Sequence, residues 1–94
     1  MNKEKIYAKV TEILKKEGAK KIAVFGSYVR GEEGPKSDID ILVEFSERKS
    51  LLDLVRIERK LSEALGMKVD LLTEKSLSPY LINGIKKEMR VIYG

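Results

Sequence analysis

Hydrophobic and polar residues alternate along this chain with two different spacings. Between Asn2 and Glu17 the apolar positions recur every three or four residues, which predicts an amphipathic helix. They are Ile6, Val10, Ile13 and Leu14, and Gly18 follows where a C-terminal cap is expected. The next segment, Lys20–Phe25, is short, apolar and rich in β-branched residues, which favours a buried strand.

The segment Asp38–Phe45 has the two-residue spacing of a strand. Its apolar side chains on one side would be Ile39, Ile41, Val43 and Phe45. The side chains facing the other way would be Asp38, Asp40, Leu42 and Glu44. A loop is expected over Gly31–Ser37, because this stretch holds two glycines and a proline. Gly26 and Ser27 end the preceding strand in a turn or the start of a short helix.

Helix signals dominate the second half of the chain. Ser50 is placed to cap a helix over Leu51–Leu65 that Gly66 ends. Ser78 and Pro79 have the residue types of an N-cap and a first helical position, which predicts a helix to about Met89. A strand is expected at Met67–Leu72, and a short final strand at Arg90–Tyr93 is compatible with the pattern. The apolar residues of the middle helix that we expect in the core are Leu51, Leu52, Leu54, Val55, Leu61 and Leu65.

This order of elements predicts a small α/β (α+β) fold, with helices packed on a mixed β-sheet. The 94 residues are enough for one domain, 1–94, and too few for a second. The longest continuous apolar run has four residues, Ile22–Phe25, so we expect no membrane span. The N-terminal residues do not resemble a signal peptide, and we therefore expect a cytoplasmic protein.

Composition narrows the chemistry. The chain has no cysteine and no histidine, which excludes thiolate catalysis, serine–histidine catalysis and most zinc sites. Nineteen lysines and arginines against 15 acidic residues give a charge of +4. A basic protein attracts phosphates, but for most of these charges we favour the simpler interpretation of solvated helix faces. Direct nucleic-acid binding is not expected.

The aspartates are the most informative residues. Eleven of the acidic residues are glutamates and only four are aspartates, yet Asp38 and Asp40 open one predicted strand and Asp70 lies inside another. If the two strands are neighbours, the three carboxylates converge on one face and would require a cation, with Mg²⁺ or Mn²⁺ suiting oxygen ligands. The alternative is that Asp38 caps a turn while Asp40 and Asp70 pair with basic side chains.

Gly26 and Ser27 supply a second candidate feature. A glycine after a buried strand lets the backbone approach a ligand closely, and a serine hydroxyl with adjacent amides can hold phosphate oxygens. Arg30, three residues later, could add a charge-assisted hydrogen bond. As an isolated Gly-Ser turn, the pair has no specific meaning.

The combination Gly26-Ser27, ten residues, Asp38-Ile39-Asp40 is far more specific. The runs Gly26–Gly31 and Ser37–Val43 resemble the signature of minimal nucleotidyltransferases in the DNA polymerase β superfamily. Asp70 matches the third carboxylate of that signature. The resemblance spans nearly the whole chain.

The resemblance implies a role for each matching residue. Gly26 and Ser27 would bind a nucleoside triphosphate, with Arg30 and Ser37 in supporting roles. The three carboxylates, Asp38, Asp40 and Asp70, would hold two Mg²⁺ ions, and Asp70 would also orient or deprotonate the acceptor. An acceptor oxygen would attack the α-phosphate and displace pyrophosphate.

The resemblance also implies a partner. Proteins of this family commonly act as antitoxins of small helical HEPN toxins, by transferring AMP from ATP onto a toxin tyrosine. A second subunit or partner protein would then complete the acceptor site, as a hetero-oligomer or homo-oligomer. The alternatives are a non-catalytic module that inhibits its partner by occlusion, and nucleotidyl transfer to RNA or a small molecule.

Overall fold

Residues 2–94 fold into four α-helices and four strands. The computed structural model describes residues 2–94. The helices are α1 (Lys3–Lys16), α2 (Ser27–Arg30), α3 (Leu51–Leu65) and α4 (Pro79–Glu88). The strands are β1 (Ala19–Phe25), β2 (Ile39–Phe45), β3 (Val69–Leu72) and β4 (Arg90–Tyr93). A 3-10 turn, Glu74–Ser76, lies between β3 and α4. The predicted element order and the α/β fold class are confirmed, including the final strand.

The strands form one mixed sheet in the order β3-β2-β1-β4. β1 is antiparallel to both β2 and β4, whereas β2 and β3 are parallel. The crossover between the two parallel strands is α3, the connection that parallel pairing requires. Two side chains of α3 accept hydrogen bonds from backbone N–H groups of β3, Ser62 from Val69 and Glu58 from Leu71. These bonds satisfy part of an exposed sheet edge and fix the position of β3.

Side-chain caps define the helix starts that the sequence predicts. Ser50 and Asp53 form a reciprocal capping box at the start of α3. The Ser78 hydroxyl accepts a hydrogen bond from the Leu81 N–H, with Pro79 in the first turn of α4. Gly66 ends α3 in the left-handed conformation, as expected for a glycine cap.

One face of the sheet, here called the helix-covered face, packs against α1 and α3. Its strand residues are Ile22, Val24, Ile39, Ile41, Val43, Val69 and Leu71. All four apolar residues predicted for the first helix are buried against it. This face is the main core of the protein, and burial of its apolar surface is the chief source of stability.

The opposite face, here called the carboxylate face, is only partly covered. Its strand residues are Ala23, Phe25, Asp40, Leu42, Asp70 and Leu72. The residues packed over its apolar part, Leu77, Ile85 and Met89, come from α4 and its flanks. The two aspartates lie near the start of β2 and β3 and are only partly buried.

Two details of the sequence interpretation were wrong. The strand predicted from Met67 begins at Val69, because the Met67 N–H donates to the Ser62 carbonyl as part of the cap that follows α3. Of the middle-helix residues predicted in the core, three are exposed: Leu51, Leu52 and Val55. The side of α3 that meets the core carries Leu54, Ile57, Leu61 and Leu65.

Among residues 2–94, no helix is both long and apolar enough to cross a membrane.

Candidate active site

Asp40 and Asp70 lie side by side on the carboxylate face. They are register partners in the parallel pairing of β2 with β3. Neighbouring residues in this register project their side chains to the same side of the sheet, so the two carboxyl groups are adjacent. The predicted cluster of carboxylates depended on β3 pairing with β2 and on Asp70 lying on this face. The sheet has that arrangement.

The environment of Asp40 disfavours ionisation of its carboxyl group. Burial raises the pKa of the Asp40 carboxyl, and the negative charge of the adjacent Asp70 raises it further. The charge of Asp38 acts in the same direction, while the Arg30 guanidinium opposes it. A cation between these carboxyl groups would relieve the repulsion.

Asp38 lies at the edge of this group. Its carboxylate is 3.6 Å from the Lys68 ammonium, and both side chains are at least one-third exposed. The backbone beside them is held by the Ile39 N–H, which donates to the Lys68 carbonyl. Asp38 therefore has a basic partner, whereas the alternative interpretation expected it to cap a turn and expected basic partners for Asp40 and Asp70 instead. The charge of Asp38 still reaches Asp40.

Gly26 forms the other wall of the site, at the end of β1. Phe25 is the register partner of Asp40, so the turn that follows β1 lies against the Asp40 side chain. Gly26 has φ 77° and ψ −151°, a conformation essentially restricted to glycine. A Cβ atom at this position would overlap with Oδ2 of Asp40. The glycine is thus required both by its backbone conformation and by the close approach of the carboxylate.

Ser27 begins the short helix α2 immediately after this turn. The N–H groups of Val29 and Arg30 both donate to the Gly26 carbonyl, which closes the turn. Gly31 ends α2 in the left-handed conformation. The Ser27 side chain is half-buried, one residue from the glycine that contacts Asp40.

Arg30 and Ser37 have protein partners. The Arg30 Nε donates to Glu32 at 2.6 Å, and its Nη1 donates to both carboxylate oxygens of Glu88 at 3.0 and 3.2 Å. The Ser37 hydroxyl accepts the Gly34 N–H at 2.7 Å, and the Ser37 N–H donates to the Gly34 carbonyl. Ser37 therefore holds the loop that leads into Asp38.

Sequence analysis missed Glu88, the last residue of α4. Its carboxylate accepts a hydrogen bond from the Gly26 N–H at 3.1 Å in addition to those from Arg30. The one signal in the sequence is an acidic residue directly after Lys86 and Lys87, at a helix end where positive charge is favoured.

The donor atoms suit Mg²⁺ by their chemistry. They are carboxylate oxygens, and Mg²⁺ is commonly bound through one or two carboxylates together with substrate phosphates and water. Within residues 2–94 no three acidic side chains are arranged so that they alone could enclose a metal ion. Asp40 and Asp70 are the pair that fits this mode of binding, and the residues that would hold Mg²⁺ are these two, with Asp38 beside them.

Comparison with known proteins places this geometry in a family. The nucleotidyltransferase domain family matches residues 7–92. A Methanocaldococcus jannaschii relative, grouped by its name with the protein adenylyltransferases, is 52% identical over 94% of this chain and 95% of its own.

Two solved structures have the same fold. One is a crystal structure of a toxin–antitoxin with AMP-PNP, at 28% identity and a TM-score of 0.86, covering 94% of this chain and 73% of that one. The other is a tri-AMPylated Shewanella oneidensis HEPN toxin in complex with its MNT antitoxin. There the identity is 25% and the TM-score 0.80, over 97% of this chain and 71% of that one. The chain belongs to the nucleotidyltransferase domain family.

Proposed function

We propose that this protein is a Mg²⁺-dependent protein adenylyltransferase that transfers AMP from ATP to a tyrosine hydroxyl of a HEPN-type toxin, and so acts as its antitoxin. The observation that carries this proposal is the paired carboxylates of Asp40 and Asp70 beside the Gly26 turn. The relatives supply the substrate and partner. One is named for protein adenylylation, one was crystallised with an ATP analogue, and one accompanies an AMPylated HEPN toxin.

The proposed reaction exchanges a phosphoanhydride bond of ATP for a phosphate ester bond to the acceptor. The acceptor oxygen attacks the α-phosphorus of ATP, the bond from that phosphorus to the oxygen bridging to the β-phosphate breaks, and pyrophosphate leaves. The acceptor hydroxyl must lose its proton, and Asp70 is our candidate for orienting the hydroxyl or taking that proton. Mg²⁺, when bound, would supply charge neutralisation for the phosphates.

The remaining residues would position the triphosphate. We assign Gly26 and Ser27 to triphosphate binding, because the turn brings the Gly26 backbone against Asp40 and Ser27 follows it directly. Arg30 adds a fixed positive charge close to the same carboxylate. Ser37 supports the site by closing the loop before Asp38. Most of the catalytic effect would come from position and electrostatics.

We further propose that residues 1–94 act as one domain and that the partner completes the acceptor site. The ten-residue helix α4 and its flanks cover the apolar part of the carboxylate face, whereas Asp40 and Asp70 are only partly buried. These accessible carboxylates could receive an acceptor presented by another chain. We expect the reaction to take place in the cytoplasm, where its ATP is available.

The proposal is tested by transfer of labelled AMP. The protein is incubated with α-phosphate-labelled ATP, Mg²⁺ and the HEPN-type protein encoded beside it, and the labelled peptide is identified by mass spectrometry. We expect label on a partner tyrosine and a loss of at least about 100-fold in the Asp38→Asn/Asp40→Asn double variant. Asp53→Asn is the matched control, because Asp53 only caps α3 and its amide retains an acceptor oxygen.

Different results would exclude different parts of the proposal. No label on any partner with the wild-type protein would contradict protein adenylylation. If the double variant transfers no AMP but still fully neutralises the toxin, occlusion is sufficient and the antitoxin role does not need catalysis.

A further inference from the structure

Glu88 connects α4 to both parts of the proposed triphosphate site. Its carboxylate accepts the Gly26 N–H at 3.1 Å and pairs with Arg30 Nη1 through both oxygens at 3.0 and 3.2 Å. Gly26 and Glu88 are 62 residues apart in sequence. One side chain from the C-terminal part of the chain therefore fixes the turn that approaches Asp40 and the guanidinium beside it.

These bonds contribute little to the stability of the fold. The side chains of Arg30 and Glu88 are 47% and 34% exposed, and ion pairs this open to water typically contribute less than about 1 kcal/mol. The position of Glu88 is also unfavourable for the helix itself, because a negative charge in the last turn opposes the helix dipole. A residue type that is unfavourable for its local structure, and that brings no gain in stability elsewhere, indicates a functional site.

The contacts of Arg30 leave one nitrogen for a ligand. Nε is paired with Glu32 and Nη1 with Glu88, so two edges of the planar guanidinium are fixed. Among the described residues, Nη2 has no hydrogen-bond partner. A guanidinium held in this way loses little conformational freedom when Nη2 binds a phosphate oxygen, which lowers the cost of binding.

We infer that Glu88 is a positioning residue for the triphosphate, which acts by fixing the Gly26 backbone and the Arg30 guanidinium. This inference rests on the proposed nucleotidyl-transfer function. It assigns to the end of α4 a role in ATP binding that is separate from metal binding by the aspartates. Because Glu88 acts through other groups, its loss weakens nucleotide binding more than it slows the transfer step.

The first measurement is binding of AMP-PNP with Mg²⁺ to the full-length protein by calorimetry. We expect Glu88→Ala to raise the Kd about tenfold or more, within the range usual for groups that orient a site. Glu88→Gln should give an intermediate Kd, because its amide oxygen still accepts the Gly26 N–H without the charge that pairs with Arg30. The matched control is Glu74→Gln, which breaks an ion pair to Lys86 on α4 without touching the site and should leave the Kd unchanged.

The second measurement separates positioning from a structural role. In transfer assays with the partner, Glu88→Ala should raise the KM for ATP about tenfold while kcat changes by less than about threefold. In an Arg30→Ala background the same substitution should raise the Kd by at most about threefold, because one of the two groups through which Glu88 acts is gone and only the Gly26 contact remains. Melting temperatures and circular dichroism of all variants should remain close to those of the wild type.

The outcomes distinguish this inference from the proposed function. Wild-type protein that binds AMP-PNP but transfers nothing contradicts the adenylyltransferase proposal, and the Kd series still decides the role of Glu88. Unchanged or tighter binding in Glu88→Ala overturns the inference, since tighter binding would mean that the carboxylate competes with phosphate. Wild-type protein that does not bind AMP-PNP overturns both.

Discussion

The two faces of the sheet are made by the same strands and have opposite properties. On the helix-covered face, Ile41 and its neighbours are fully buried under α1 and α3. On the carboxylate face, Asp40 and Asp70 lie next to each other and are only partly buried. Successive residues of β2 therefore belong to different environments. One face stabilises the fold, and the other carries an electrostatic repulsion that this stability offsets.

The comparison shows where stability and function are separated in so small a protein. A chain of 94 residues has a single main core, and few of the residues in that core can be replaced without loss of stability. Placing the reactive groups on the alternate positions of core strands gives them a rigid support. It follows that substitutions at neighbouring residues of β2 should change the free energy of unfolding in opposite directions.

The largest expected effect on stability is on the helix-covered face. Ile41→Ala should lower the free energy of unfolding by about 2–5 kcal/mol, because it leaves a cavity among fully buried side chains. Chemical denaturation measures this change. Leu52→Ala, at a side chain that is 81% exposed, is the control and should change stability by less than about 0.5 kcal/mol. Equal effects of the two substitutions would contradict the assignment of the core.

An intermediate effect is expected where the turn meets the carboxylate face. Gly26→Ala should destabilise the protein by about 1–3 kcal/mol and weaken AMP-PNP binding, because its Cβ overlaps with Asp40 in a backbone conformation that alanine avoids. Thermal unfolding and calorimetry measure the two changes. Gly84→Ala, in open space within α4, should instead stabilise the protein by about 0.5–1 kcal/mol. A neutral Gly26→Ala variant would mean that the turn is not held against Asp40.

The smallest effect is expected at Asp40 itself. Because the pKa of Asp40 is raised in the folded protein, the stability gained from its protonation is present below the ordinary aspartate range and is lost as pH rises through the raised pKa. Asp40→Asn avoids this loss. In EDTA it should therefore be more stable than the wild type by less than about 1 kcal/mol near neutral pH, with a difference that shrinks toward acid pH.

Melting temperatures of the wild type and of Asp40→Asn, measured from acid to neutral pH, show directly whether the substitution stabilises the protein. The control is Asp53→Asn, which should show the opposite sign, since hydrogen bonds from Ser50 lower the pKa of Asp53 in the folded protein. A destabilised Asp40→Asn variant at neutral pH would mean that the ionised carboxylate is favoured by its surroundings.

Much of the fold could be predicted from local patterns. The capping residues Ser50, Ser78 and Gly66 define helix ends through hydrogen bonds between near neighbours, so their effects are visible in the sequence. The two-residue alternation in β2 correctly separates Ile41 from Asp40. The same patterns failed for Leu51, Leu52 and Val55, because apolar character alone does not show which side of a helix meets the core.

The sequence by itself determined the elements, their order, the two faces of β2 and the spacing that resembles nucleotidyltransferases. Only the tertiary structure decided that β3 pairs beside β2 in a register that matches Asp70 with Asp40, since strand pairing depends on long-range packing. It also decided that Glu88 reaches Gly26 and Arg30. The folded sheet and the packing of α4 bring these distant residues together, and no local pattern records such a contact.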